Sequence, residues 1–461
     1  MVKSTGKATR RKPKLPAALQ GVNLNAAGID VGGSSHYVAV PADRDERPVR
    51  QFASFTGDLY EMAEWLKSCG IETVAMESTG VYWIPVFQVL EERGFDVKLV
   101  DPRQLKRAPG RKTDVADCQW LQQLHTFGLL AAAFRPDNQT CVLRAYMRQR
   151  AMLVSYAGQH VQHMQKALVQ MNVQLQYVLD DITGVTGLRI IRAILGGERD
   201  PQRLAALRDG RCKHPEATIA KALQGDWRAE HLFALEQALA LVDAYQANIV
   251  ACDARIQAHL QTFDDRSGGT PPPKGSKPRA DRHDLGFDAT AELYRMTGVN
   301  LTVVKGLQAH TVLKVLSETG VDMTKWKTSK QFASWLGLAP NNRVSGGRVL
   351  SRRTAPNANR AAAALRVAAQ ALHHSHSASG AFLRRIAARD GMPKAITATA
   401  HKLARIIYNM LRFGTEFVEP GQDYYERQYH TRVVKNLTRR AKELGYRLVK
   451  HDDSLPEPAP A

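Results

Sequence analysis

The fold is read first from the stretch Asn25-Ala26-Ala27-Gly28-Ile29-Asp30-Val31-Gly32-Gly33. It is a short apolar run that stops at two glycines, which reads as a strand ending in a tight turn. Residues 36–41 read as a second strand, its hairpin partner. Further on, 59–68 has helical apolar spacing, 72–76 reads as a strand, 86–93 as a helix and 97–100 as a strand stopped by Asp101-Pro102. Residues 114–126 read as one more helix. Strands alternating with helices across 24–135 predict a layered α/β domain.

Four acids sit at special places in that pattern. Asp30 ends the first strand, and Glu77 follows the strand at 72–76. A carboxylate at the end of an apolar strand is costly to bury unless a cation or a hydrogen-bond partner meets it. Asp114 and Asp117 are three apart on the predicted helix and so share a face. Each alone has a bland reading: Asp114 as a helix cap, Asp117 as a solvated face. Taken together they predict a site for a hard divalent cation, Mg²⁺ or Mn²⁺, whose preferred ligands are oxygens. Two such ions stabilise the attacking and leaving oxygens of a phosphoryl displacement.

The charge balance points to the same substrate. The 461 residues carry 64 Lys and Arg against 44 Asp and Glu, a formal +20, with a sequence pI near 9.8. A polyanionic partner is expected, because each cation placed on a phosphate releases a counterion. Hydrophobic content of 44% supports two or three packed domains. The five cysteines, Cys69, Cys118, Cys141, Cys212 and Cys252, form no CxxC pair and predict no zinc site. With no secretory leader or membrane span in the pattern, a cytoplasmic protein is expected.

Outside the α/β segment the organisation changes. Residues 1–23 read as a disordered basic arm. The region 136–263 contains two long Gln- and Leu-bearing helical patterns, 137–180 and 229–262, which predict an antiparallel hairpin or coiled coil around a helical connector. Residues 264–286, with Pro271-Pro272-Pro273, read as a linker. Residues 287–418 read as a mainly helical unit, with helices at 307–317, 329–337, 357–373 and 394–413, and 419–461 as a charged tail.

A loop expected at 338–354 is the other candidate site. In Asn341-Asn342-Arg343-Val344-Ser345-Gly346-Gly347-Arg348, glycines let the backbone approach a phosphate closely and arginines supply charge. Ser345 could donate to an anion or attack phosphorus as a nucleophile; an ordinary Gly-rich turn is the bland alternative. Ser351, followed by Arg352 and Arg353, is a second candidate.

These motifs resemble the DEDD transposases of bacterial insertion sequences. The matching segments are Gly-Ile-Asp-Val at 28–31, Glu-Ser-Thr-Gly at 77–80, Lys-Thr-Asp-Val-Ala-Asp at 112–117, Gly-Leu-Ala-Pro at 337–340, Ser-Gly-Gly at 345–347 and the Ala- and Arg-rich stretch 359–369. The resemblance implies a RuvC-like N-terminal domain of ribonuclease-H fold, a coiled-coil middle and a C-terminal transposase domain. It implies a metal site of Asp30, Glu77, Asp114 and Asp117, and Ser345 as a serine nucleophile in a composite site, often shared across a dimer or tetramer. It further implies donor and target DNA as partners, a structured bridge RNA as guide, and phosphate contacts from Lys112, Arg343, Arg348, Arg352 and Arg353. Two positions depart from the pattern. Val344 stands where many relatives carry a second serine, and Thr297-Gly298-Val299-Asn300-Leu301 matches a DNA-contacting hairpin only weakly.

Three other readings compete. A structure-selective nuclease, resolving junctions by hydrolysis, needs the acids alone. A binding protein with a vestigial site needs neither acids nor serine. Gly28-Ile29-Asp30-Val31-Gly32-Gly33-Ser34-Ser35 also looks like the first phosphate loop of sugar-kinase and actin-type ATPases, but no second glycine turn for the β-phosphate follows it.

Overall fold

The computed structural model describes residues 22–78, 80–102, 113–271, 284–351, 353–354 and 359–449. The basic arm to residue 21, Lys112 and Arg352 lie outside the described residues. One compact unit ends at Arg135 and a second begins at Pro136.

The first unit is a mixed sheet with helices on both faces. Its elements run β1 (Ala26–Val31), β2 (Ser35–Ala39), β3 (Val49–Ala53), α1 (Thr56–Ser68), β4 (Thr73–Glu77), α2 (Trp83–Glu92), β5 (Asp96–Val100) and α3 (Asp114–Thr126). Strand order is β3-β2-β1-β4-β5. The hairpin partner expected for β1 is present: β1 pairs antiparallel with β2, while β1–β4 and β4–β5 are parallel. β1 is central, so Ala26 to Ile29 are all buried and no in-out alternation shows in its sequence. One face packs Ile29, Val74 and Met76 against α1 and α2 through Met62, Leu66, Val86 and Leu90. The other face packs Ala75 and Val100 against Leu121 of α3.

β3 has no expectation in the sequence. Its pattern, Val-Arg-Gln-Phe-Ala, buries one side chain, Phe52, which is too little alternation to read. The strand is held from outside. The Asp45 carboxylate accepts from the Trp65 indole at 2.9 Å and from Arg50 at 2.8 Å. These bonds, the Trp65 one foremost, hold its pKa below the ordinary carboxylate value.

The second unit is helical. α4 (Asn138–Gln170) and α9 (Ala229–Leu260) lie antiparallel, since Gln139 bonds Thr262 and Tyr156 meets Tyr245. Their register is marked by a buried ion pair, Arg150 Nε to Asp253 Oδ1 at 2.5 Å. Removing one partner of such a pair leaves a buried charge, at a cost of about 3–5 kcal/mol. The connector folds into α5 (Leu175–Val178), α6 (Val185–Leu195), α7 (Pro201–Ala205) and α8 (Glu216–Ala222), which pack around Ile190, Ile191 and Leu168.

The rest of that unit is α10 (Ala289–Thr297), α11 (Ala309–Thr319), α12 (Ser329–Trp335), β6 (Arg343–Ser345), β7 (Arg348–Ser351), α13 (Arg360–Ala371), α14 (Ala378–Asp390), α15 (Met392–Phe413) and α16 (Gly421–Glu443). α11 docks on α4 where Arg148 makes two bonds to the Glu318 carboxylate, at 3.0 and 2.8 Å. Trp326, Phe332, Trp335 and Tyr408 form its aromatic core.

Two expectations need correction. Segment 338–354 is a two-stranded hairpin rather than a loop, closed at its base by Asn341 N–H donating to Arg353 O. Residues after 418 carry helix α16 rather than only a tail. Neither α10 nor α14 is among the helices read from the sequence. Residues 297–301 hold no strand: Gly298 caps α10 in the left-handed region and a 3₁₀ turn begins at Leu301. No helix among the described residues is long and apolar enough to cross a membrane.

Candidate active site

Parallel pairing brings the first two acids together. Ile29 is in register with Met76, so Asp30 and Glu77, each one residue on, leave adjacent strands side by side. In-register neighbours on parallel strands share a face. Asp30 is also two residues after Gly28, and Gly28 faces α3. A Cβ there would lie 2.3 Å from Gln122 N and 2.5 Å from Cys118 O. Only glycine lets the helix backbone come this close.

α3 brings the other two acids to the same end. It runs back along β1: Asn23 N–H donates to Thr126 O at 2.8 Å, and Gln122 reaches Ala26 O at 3.4 Å. Its first turn, with Asp114 and Asp117, therefore lies toward the end of β1 that carries Asp30. Thr113, not Asp114, is the cap; its hydroxyl accepts from Ala116 N–H at 3.2 Å. Acids in a first turn are favoured by the partial positive charge of the helix start. Asp117 is half-buried and Asp114 exposed.

Cys118 is buried beside Asp117 in the first turns of α3. Burial pushes its thiol up to about 12, and the charges of Asp30 and Asp117 add to that push. Cys118 is fully buried, with its Sγ 3.1 Å from Val115 O, so it packs α3 onto β1 and is not one of the site's donors. The glycine within a strand pattern at position 28 was the available signal for close helix packing.

Chemically the edge is an all-oxygen donor set at the carboxyl ends of two parallel strands, beside an antiparallel neighbour. Open α/β sheets bind ligands at such places. Hard divalent cations suit these donors, and the set lacks the sulfur and imidazole that zinc prefers. Among the described residues no three His, Cys, Asp or Glu side chains are already gathered closely enough to hold an ion. Asp30 and Glu77 leave adjacent strands at the sheet end toward which the first turn of α3 is directed.

Ser345 lies in the second unit. It ends β6, pairs with Arg348, and flanks the turn Gly346-Gly347. Both glycines have positive φ, 53° and 76°, which is the type I′ turn that suits the twist of a hairpin. Every residue from 341 to 350 is exposed, including Arg343, Arg348 and Ser345 itself. Arg353 is exposed as well. Ser351 is less available, being half-buried, with its hydroxyl oxygen accepting from Arg353 N–H at 3.3 Å.

Comparison with known families adds to this. Residues 27–173 match the DEDD model of IS110-type elements, described as a transposase. Residues 299–383 match the family described as transposase IS116/IS110/IS902. Together the two matches take in half of the chain and include all four acids and Ser345. No curated protein matches the chain. DEDD transposase domains typically work with divalent metals. By both matches the chain belongs to the IS110 family of DEDD transposases, and its activity is that of a DNA transposase.

Proposed function

We propose that this transposase cuts and rejoins donor and target DNA through a covalent link to Ser345. The observation that carries the reading is an exposed serine between Arg343 and Arg348 on a hairpin tip, in a chain whose acids lie on a separate sheet edge. A serine presented this way reaches a phosphate that the arginines hold. Its Oγ forms the bond to phosphorus, the P–O bond to the sugar breaks, and the leaving sugar oxygen takes up a proton. Because the phosphoester energy stays in the protein–DNA bond, the strand rejoins without a nucleotide cofactor. Asp30, Glu77, Asp114 and Asp117 would hold Mg²⁺ or Mn²⁺, which supplies Lewis-acid stabilisation of developing negative charge. Hydrolysis would need those acids alone, so the serine separates this reading from a junction-resolving nuclease.

Finer parts of the proposal follow the family. Residues 24–135 form a ribonuclease-H-like metal domain, a reading supported by acids leaving two adjacent parallel strands of a mixed sheet. The α4–α9 pair in 136–263 acts as a coiled-coil spacer, and 287–418 as the serine domain. A structured RNA guides target choice, and two or more copies complete the site.

The test is a denaturing gel on reactions with labelled donor DNA. Wild-type protein and Ser351→Ala are expected to carry label covalently, and Ser345→Ala to carry none. Label persisting on Ser345→Ala would overturn the assignment. Sequencing RNA that copurifies with the protein checks the guide: one discrete structured species is expected, and only random fragments would remove the guide from the proposal.

A further inference from the structure

Helix α16 lies beyond both family matches. Its first turns are clamped to α14. Arg385 stacks on Tyr429 at 3.7 Å and on Tyr425 at 4.7 Å, and Phe382 meets Tyr425 edge-on. Arg384 donates to Gln422 at 2.7 Å, and Glu419 accepts from Ala378 N–H at 2.9 Å. After Tyr429 the helix continues to Glu443, about 20 Å further at 1.5 Å per residue. None of its residues is buried.

That outer part is strongly basic. Residues 427–447 hold seven Lys and Arg against one acid, Glu443. Arg432, Lys435, Arg439 and Lys442, spaced three, four and three apart, fall on one face, and all four are exposed. Val434, Leu437 and Leu444 fall on the opposite side. Four of the five Lys and Arg between 430 and 444 share this stripe, and only Arg440 lies off it. Among the described residues the ion pair on this helix is Arg439 with Glu443, a long 3.9 Å contact.

We propose that α16 is a second DNA-holding element, which lays its Arg432–Lys435–Arg439–Lys442 stripe against the phosphates of duplex DNA away from the reacting strand. A rigid helix fits the roughly 12 Å major groove of a duplex. Its contacts are to phosphates, so they add affinity and register rather than sequence choice. Duplex DNA is the occupant because the chain is a DNA transposase and the stripe is complementary in charge. The apolar side has Val and Leu but no Trp or Phe through 430–444, unlike helices that lie in a lipid surface.

The test uses the full-length protein and a random-sequence duplex, with binding followed across salt concentrations. In a variant with Arg432, Lys435, Arg439 and Lys442 all changed to Gln, affinity is expected to fall roughly tenfold or more. The slope of log affinity against log salt is expected to shrink by about 3 to 4, at ~0.9 per lost phosphate contact. Gln is a good helix former, so circular dichroism is expected to be unchanged. A second variant removes four charges elsewhere, Arg203, Arg211, Lys213 and Arg228, and is expected to keep most of the slope. Equal loss in both variants overturns the proposal, since net charge alone would then explain it. So does an unchanged slope in the stripe variant. A loss larger for structured RNA or for anionic vesicles than for duplex DNA also overturns it. Covalent adduct formation on Ser345 is read separately and stands or falls independently.

Discussion

Asp30 and Glu77 each follow a residue, Ile29 and Met76, that is 0% exposed, whereas Ser345 closes a strand in which every residue is exposed. The acids are aimed by a sheet packed on both faces, with α3 pressed onto β1 where no side chain fits. The serine is aimed by two short strands and a glycine turn. A lone two-stranded hairpin is only marginally stable in water. Stabilising developing charge requires groups fixed beforehand, and the sheet edge provides that. The proposed nucleophile has to be reachable by DNA, and the exposed turn provides that. The acids thus sit on a packed sheet edge and the serine on an exposed turn, and the proposed chemistry uses both.

Changing an acid should separate chemistry from folding most sharply. Asp30→Asn is expected to lower strand cleavage by about 100- to 1000-fold, the scale of losing one preorganised electrostatic group. Its thermal midpoint should stay near wild type. A midpoint collapse with cleavage lost in proportion would mean that Asp30 supports the fold rather than the reaction.

Next in size is Gly28→Val. Its side chain would overlap the α3 backbone at Gln122 and Cys118, and backbone cannot rotate away. Overpacking of this kind costs about 1–3 kcal/mol or more. A large drop in the melting temperature of the first unit is expected, together with loss of cleavage. An unchanged melt would show that α3 is not fixed on β1.

The hairpin should answer differently. Gly347→Val forces a β-branched residue to φ near 76°, a strain of roughly 1–2 kcal/mol confined to the turn. Adduct formation is expected to fall severalfold while the global melt hardly moves. If the melt drops as far as in Gly28→Val, the hairpin is tied into the folding of its unit rather than standing apart from it.

The smallest effect is that of pH. Burial, and then Lys98, lower the His125 imidazole to about 4 against an opposing pull from Asp96, and its Nε2 sits 2.9 Å from Thr73 Oγ1. The folded state therefore resists protonation that the unfolded chain accepts. Stability from this group is complete above pH 6.5 and is lost as pH falls toward 4. Melting temperature is expected to decline from pH 7 to 5, and less steeply in His125→Gln. His310 in the second unit, lowered to about 4 mainly by burial, should leave part of the decline in that variant. A pH profile unaltered by His125→Gln would remove it from the account.

Read alone, the sequence marks out the candidate acids, their order, the serine candidate and the alternation of strands and helices from 25 to 126. These are readable because strand ends, glycine turns and helical periods are local. It also carried the family, through six short motifs in fixed order. It did not show β3, whose burial is one phenylalanine, nor α16, whose charge reads as a tail. The hairpin at 343–351 looked like a loop because its strands bury nothing and leave no alternation to detect. Only tertiary structure decided that Asp30 and Glu77 stand side by side, since that follows from the Ile29–Met76 register between strands some forty-five residues apart. Only it decided that Asp117 returns to Asp30 through the antiparallel run of α3 along β1. Spacing in the chain says which face a residue takes within its own element. Which elements meet, and in what register, is settled by packing across the core.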